Sequence, residues 1–208
     1  MSDHSQKFLS DAADTTAITQ LIIRERESRD LCFWDRMLDC FHSDSRVNIT
    51  WFQGTGPDFV EASKGMVERG MLAKHRLGPI LVTLNTDRAV ASLSAIIDVP
   101  TLIDDVELML SAHCLMFYGV EKRANNWRIA SFEGIYRRDE FTPAILGQTV
   151  AIPADIIKNF RPSYRNLSYS LHLHGYAVDP DLPGEDRPES VQKATKALFQ
   201  WAGIEPPH

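Results

Sequence analysis

The chain is predicted to be an α+β protein, in which helices come first and an antiparallel meander follows. Two observations predict this class. Apolar residues recur at helical spacing through the first third, from Ile18 to Phe41 and again from Phe59 to Met71. After residue 80, long alternating runs are separated by short polar turns, the pattern of consecutive hairpins. A third observation concerns the end: after Arg138, prolines at 143, 153, 162, 180, 183 and 188 interrupt the chain repeatedly.

Taken in order, residues 1–13 are polar and predicted to be loose. Asp14-Thr15-Thr16 offers N-caps for a first helix carrying Ile18, Leu21, Ile22, Glu25 and Arg29 on one face. A second helical piece covers Trp34–Phe41 and ends near His42–Ser45. Val47–Phe52 alternates as a strand and stops at Gly54-Thr55-Gly56-Pro57. Asp58–Ala73 reads as a third helix, with Phe59, Met66 and Met71 as anchors, although Gly65 and Gly70 weaken it. Residues 74–84 read as a strand opened by Lys74-His75. Ile80–Leu84 turns at 85–88 into Ala89–Val99, and Leu108–Val120 turns around Ala124–Asn126 into Trp127–Arg137. Beyond 141 a short helix is predicted at 162–171 and a clearer one at 191–201, with Val191, Ala194, Leu198 and Trp201 in register. The segment 141–208 has too little apolar mass for its own core, so it is predicted to lie as an arm over the domain or over a neighbouring subunit.

Composition bounds the function. A chain of 208 residues with 44% hydrophobic and 24% charged content suits one globular domain with decoration. Its net charge of −6 gives no reason to expect nucleic acid or an anionic membrane as partner. The basic pairs Lys122-Arg123 and Arg137-Arg138 are too short to change that. No run approaches the roughly 20 apolar residues of a membrane span, and the first residues have no apolar signal region. A cytoplasmic location is therefore expected. Cys32, Cys40 and Cys114 are odd in number and lack metal or redox spacing. On one helix Cys32 and Cys40 would lie about 12 Å apart, too far for a disulfide, so free thiols are expected.

Two residues stand out chemically. Asp30 is set in an apolar neighbourhood, Leu31-Cys32-Phe33-Trp34, where a carboxylate needs a partner. His75 lies at the mouth of a strand. A carboxylate holding one ring nitrogen of a histidine leaves the other free as a general base. His113 lies in an apolar strand and is either a core histidine or a pocket acid. Trp51 and Phe52 alternate, so one of them should face a cavity. Glu133, Tyr136, Arg137 and Arg138 sit near the end of the last strand, where one arginine could stabilise an oxyanion; strand register decides which. His172 and His174, with Asp179 nearby, could ligate a metal, but alternate histidines alone are weak evidence. There is no phosphate loop, nucleophile elbow or dinucleotide fingerprint.

The order of these landmarks resembles the cone-shaped α+β barrel of the nuclear transport factor 2-like (NTF2-like, cystatin-like) superfamily, with helices packed on a curved, mixed but mostly antiparallel sheet. Phe33–Asp44 is similar to the family's helix followed by a phenylalanine and an acidic residue. Val47–Gly54 is similar to the strand after it, and Glu121–Ile129 to a charged hairpin ending in Trp-Arg-Ile. The resemblance covers roughly residues 14–140 and is closest to the SnoaL-like polyketide-cyclase branch that includes scytalone dehydratase, the lindane dehydrochlorinase and bile-acid dehydratase. It implies a catalytic Asp30–His75 dyad, with His113 at the place of a second histidine. Trp51, Tyr118, Tyr136, Arg137 and Arg138 become candidates for substrate contact. The family tyrosine beside the aspartate is absent: Arg29 stands there, with Glu25 a helical turn earlier.

The implied function is that of a cofactor-independent lyase acting on a hydrophobic hydroxylated aromatic, polyketide or steroid compound. Loss of water and retro-aldol loss of formaldehyde are both open, as is aromatic-compound catabolism. Alternatives are a polyketide cyclase or isomerase, or a non-catalytic subunit resembling the β subunit of ring-hydroxylating dioxygenases. A homodimer or homotrimer is expected from the superfamily's open sheet face. Whether the cone is hollow, with Asp30 and His75 facing each other, separates these readings.

Overall fold

The computed structural model describes residues 3–207. Six α-helices and seven strands follow the chain as α1 (Asp3–Leu31), α2 (Trp34–Leu38), β1 (Phe41–Ile49), β2 (Phe52–Gly54), α3 (Gly56–Glu68), β3 (Lys74–Leu77), β4 (Leu81–Asn85), β5 (Arg88–Ile103), β6 (Val106–Arg123), β7 (Asn126–Pro143), α4 (Ala154–Ile157), α5 (Arg165–Leu173) and α6 (Pro188–Trp201). The sheet runs β2-β1-β7-β6-β5-β3, with β4 also paired to β5. Only β1 and β7 pair in parallel. The mixed, mostly antiparallel α+β architecture is the predicted one.

The helix boundaries differ from the prediction for local reasons. Helix α1 begins by Asp3, and the expected caps at 14–16 lie inside it. Thr16 and Thr19 donate their hydroxyls back to the carbonyls of Ala12 and Thr15, so neither side chain caps a helix start. Asp14 instead accepts from Trp127 Nε1 at 2.8 Å and pairs with Lys122. Met1 and Ser2, the rest of the segment predicted to be loose, lie outside the described residues. The helix stops where Cys32 takes a left-handed conformation (φ 62°) and Phe33 N–H donates to Ser28 C=O at 2.8 Å, a Schellman closure. Cys32 and Cys40 therefore do not share a helix. Helix α2 is a single turn, and β1 takes over at Phe41, so Asp44 lies within the strand.

Helix α3 starts at a Thr55 cap, whose hydroxyl accepts from Asp58 N–H, with Pro57 in the first turn. Gly70 ends that region at φ 85°. The predicted strand 74–84 is two strands, β3 and β4, separated around Gly78-Pro79; both pair with β5. The three long hairpin strands are as predicted but longer. Each tight turn places two non-glycine residues at positive φ, Asp104-Asp105 and Ala124-Asn125, the primed hairpin geometry.

On β6 the even positions from Leu108 to Val120 are buried and the odd ones are less so. Two bulges in the β6–β7 pairing reset this alternation on β7. Gly119 opposes Ser131 while Val120 opposes Ile129, and His113 opposes Arg138 while Cys114 opposes Tyr136. Ile129, Phe132 and Tyr136 thereby all reach the core face. Tyr118 and Phe132 stack there with centroids 4.6 Å apart.

The arm folds back on its own domain. Asp139 on β7 accepts from Leu167 N–H at 2.7 Å and from the Asn166 amide, which caps the first turn of α5. Arg161 is 7% exposed and binds Asp186 and the carbonyls of Pro180 and Leu182. Helix α6 lies on the opposite sheet face, with Arg88 stacked on Trp201 and donating to its carbonyl. Gly119 makes room for it, since a Cβ there would come within 2.9 Å of the Trp201 ring.

Candidate active site

Asp30 sits in the last turn of α1, and His75 is the second residue of β3. Asp30 Oδ1 lies 2.6 Å from His75 Nδ1, and Oδ2 accepts from the His75 backbone N–H at 2.7 Å. Lys74 donates to the Asp30 carbonyl from the same strand. A carboxylate at a helix C-terminus faces unpaired carbonyls and is unfavourable there. The two His75 donors and the Lys74 ammonium offset that cost, so the end of α1 and the start of β3 are held as one unit.

The protonation states follow from the surroundings. Burial works to raise the Asp30 pKa, but the His75 hydrogen bonds and charge, with Arg26, hold it below the usual carboxylate value. Burial lowers the His75 pKa, Asp30 acts against this, and the charges of Arg26 and Arg29 add to the lowering. Both directions agree on one state at neutral pH: an ionised Asp30 accepting from Nδ1–H of a neutral imidazole. His75 Nε2 is then an unprotonated base. It faces Arg26 Nη1 at 3.4 Å.

His75 lines a cavity with about 660 Å³ of unoccupied space, counting the part open to solvent. Ile97, Val99 and Met116 from the sheet, Phe59 and Met66 from α3, and Leu167 and Leu171 from α5 form its apolar walls. Trp51 and Tyr136 also line it. Trp51 sits in the turn between β1 and β2 rather than within one alternating strand. The Tyr136 hydroxyl accepts from Thr50 N–H at 3.2 Å and donates to Thr50 Oγ1, and burial raises its pKa, so it stays a neutral donor. Cys114 is buried in the same wall, where burial pushes its thiol up to about 12. All three cysteines are free thiols.

Several predicted site residues lie elsewhere. His113 points to the outer sheet face and pairs with Glu140 at 3.5 Å, because Cys114 takes the inward position beside it. Tyr118 is fully buried beneath the cavity floor, stacked on Phe132. Arg137 and Arg138 are both on the outside, paired with Glu185 and Glu140. The bulge opposite His113-Cys114 leaves Arg137 without a ladder partner and turns both arginines away. His172, His174 and Asp179 do not converge: His174 Nδ1 bonds its own helix at Ser170, while Asp179 contacts Gln53 and the Asp181 N–H. No cluster of three metal-ligating side chains occurs among the described residues.

The cavity arginines come from α1. Arg26 is 3% exposed, binds Glu25 through two nitrogens, and lies over the Phe132 ring at 4.9 Å. Arg29 is equally buried. Positions 26, 29 and 30 follow the i, i+3, i+4 rule, so a helix that aims Asp30 inward must aim both arginines inward. That spacing was the available signal.

Residues 10–133 match the model of the SnoaL-like domain family. The chain belongs to that family. It is thereby part of the NTF2-like superfamily, and the curved mixed sheet with N-terminal helices is the SnoaL-like architecture. Among curated proteins it is similar to a PEP2-like protein of Fusarium vanettenii, 29% identical over 193 residues, covering 88% of this chain and 82% of that one. It is also similar to pea pathogenicity protein 2 of the same fungus, 28% identical over 183 residues and covering 84% and 78%. Among solved structures, a LinA-type3 hexachlorocyclohexane dehydrochlorinase from Novosphingobium barchaimii superposes with a TM-score of 0.56 at 16% identity, over 70% of this chain and 99% of that one. A candidate scytalone dehydratase from Novosphingobium aromaticivorans gives 0.54 at 14%, over 67% and 97%. At such identities the likeness is one of fold. The SnoaL-like domain thus has dehydrochlorinases and dehydratase-type proteins among its structural neighbours, and no helix in the described residues is long and apolar enough to cross a membrane.

Proposed function

We propose that this SnoaL-like protein is a cofactor-independent lyase for a hydrophobic, hydroxylated aromatic, polyketide or steroid-like compound. The contact that carries the reading is the 2.6 Å pair between Asp30 Oδ1 and His75 Nδ1 at the wall of an apolar cavity. Asp30 fixes the ring tautomer and stabilises the imidazolium. His75 Nε2 removes a proton from substrate carbon. The electron pair of that C–H bond forms the double bond as the C–O bond to the leaving hydroxyl breaks, and the hydroxyl departs as water once protonated. In the retro-aldol variant His75 takes the proton of a hydroxymethyl group instead, its oxygen forms the C=O of formaldehyde as the C–C bond breaks, and the electron pair left on the substrate carbon takes the proton back from the imidazolium.

Arg26 contributes twice. Its guanidinium donates toward developing negative charge on a substrate oxygen in a low-dielectric site. It also disfavours a long-lived proton on Nε2, so the imidazolium passes the proton on. Tyr136, whose O–H is given to Thr50 Oγ1, shapes the same wall. General acid–base help contributes about 10²–10⁴-fold, and the dry cavity and oriented donors supply the remainder. A homodimer or homotrimer in the cytoplasm belongs to the same reading; sizing at several concentrations tests the assembly.

Incubation with a panel of hydroxylated aromatic, polyketide and steroid compounds, with product masses recorded, tests the reaction. Loss of 18 or 30 mass units, abolished by His75→Ala in a protein that keeps its circular-dichroism spectrum, is the expected result. An unchanged product mass with altered chromatography identifies a cyclase or isomerase. Turnover that survives His75→Ala removes the dyad from the mechanism.

A further inference from the structure

Three arginines are buried in the described chain, and two have carboxylate partners: Arg26 holds Glu25, and Arg161 holds Asp186. Arg29 has none. It is 3% exposed, and it lines the cavity. Nη2 donates to the thioether of Met66 at 3.6 Å, a weak acceptor, and the group lies 5.9 Å over the Trp34 ring. Among the described residues no oxygen accepts from it.

The nearby carboxylates are already committed. Asp30 accepts two N–H groups from His75, and Glu25 accepts two from Arg26. A guanidinium cannot escape burial by losing its proton, so an unpaired one carries the desolvation cost of a full charge. The C-terminal end of α1 favours a cation, but only modestly, and it supplies no acceptor in the plane of the guanidinium. The planar fork suits a carboxylate, which it can bind through two parallel hydrogen bonds. Apart from Arg26, which Glu25 pairs, and from His75 and Thr50, the remaining walls are mainly aliphatic and aromatic, which suits a hydrocarbon body and no second charge.

We propose that the cavity takes an organic anion whose carboxylate seats on Arg29, with its apolar body against the Ile97, Val99 and Leu171 wall. The proposal deepens the lyase reading by naming the substrate class; the seat itself is a matter of binding and does not need the dyad. An acid anchored on α1 places its body beside His75 Nε2, since Arg29 and Asp30 are adjacent on one helix turn. Neutral polyketides or steroids fill the same walls and offer neutral oxygens, but leave the Arg29 charge without a counter-ion.

The test compares 2-naphthoate, ionised at pH 7, with 2-naphthamide, which has the same shape and no charge. Binding is followed by tryptophan fluorescence, because Trp51 lines the cavity and Trp34 lies over Arg29. The acid should bind the unmodified protein at least about tenfold more tightly than the amide, the scale of a charged hydrogen bond. Arg29→Met should reduce the preference to within about twofold while leaving amide affinity unchanged, and Arg29→Lys should retain part of it. Equal affinities, preference for the amide, or no saturable binding of either by the unmodified protein would each overturn the proposal. So would a preference that survives Arg29→Met. If Arg29→Met does not fold, the unmodified pair and Arg29→Lys decide alone. His75→Ala separates the two claims: it should keep the acid preference, so intact turnover in that variant defeats the lyase reading and leaves the anion seat standing.

Discussion

At the scale of single residues, the site is governed by where four charged groups sit on one helix turn and one strand. Asp30 and His75 hold each other in a defined protonation state, and the test of that state is pH. Because burial, Arg26 and Arg29 all lower the His75 pKa, the base form persists below the ordinary histidine value of 6.5. The acid limb of kcat/KM should therefore lie below pH 6.5, and a limb above 6.5 in a rate profile would contradict the assigned state. Asp30→Asn keeps the shape of the side chain but cannot stabilise the imidazolium or select its tautomer. A fall of about 10²–10⁴-fold in kcat is expected, with an unchanged thermal midpoint to within a few degrees. Both arginines were legible in principle from their spacing to Asp30. The strand arginines at 137 and 138 drew attention instead, because a bulge cannot be read from a run of residue types.

At the scale of elements, the end of α1 decides the geometry of the site. The helix closes through a left-handed residue, yet that residue is Cys32 and not glycine. A side chain in this conformation costs about 1–2 kcal/mol relative to glycine. Cys32→Gly should therefore stabilise the protein by about 1 kcal/mol, read as a higher urea midpoint with the same slope. No gain would mean the Cys32 side chain contributes packing of its own. The hairpin strands β5, β6 and β7 were readable because their alternation is regular over many residues. Helix α1 was read as starting at 14 because Asp and Thr residues resemble caps. In the fold those side chains are used elsewhere, Asp14 on Trp127 and Lys122, and the threonines on their own helix.

At the scale of the whole molecule, the arm completes the cavity that the cone begins. Leu167 and Leu171 of α5 form part of its wall, and Tyr164 packs on Tyr136 with ring centroids 5.0 Å apart. Arg161 ties this segment to Asp186 and to two backbone carbonyls. Its replacement by alanine takes the guanidinium away from the Asp186 carboxylate and from two backbone carbonyls, a loss of about 1–3 kcal/mol. Hydrogen exchange in α5 should rise together with a lower urea midpoint; unchanged exchange would mean the arm is held by its apolar contacts alone. Global stability should also fall on acidification, for reasons spread over the molecule. His75 binds a proton more readily unfolded than folded, so stability declines as pH drops below 6.5. Asp30 and Asp186 also have lowered values, so their contributions are present above about pH 4 and lost below it. A urea midpoint that is flat from pH 7 to pH 3 would refute this linkage.

The sequence by itself determined the class of the fold and the order of helices and hairpins, and it marked Asp30 and His75 as candidates for acid–base work. Periodicity and turn chemistry are local properties, and a carboxylate among apolar neighbours announces its need for a partner. Only the tertiary structure decided which side chains share the cavity. Strand bulges reset which face a β7 residue meets, so both strand arginines went outside while Tyr136 went in, and the unbroken alternation of β6 put His113 outside and Cys114 in. The closing of the arm over the cone, and the solitary guanidinium of Arg29, depend on contacts between separate segments of the chain or on the absence of one. Neither leaves a mark in local sequence.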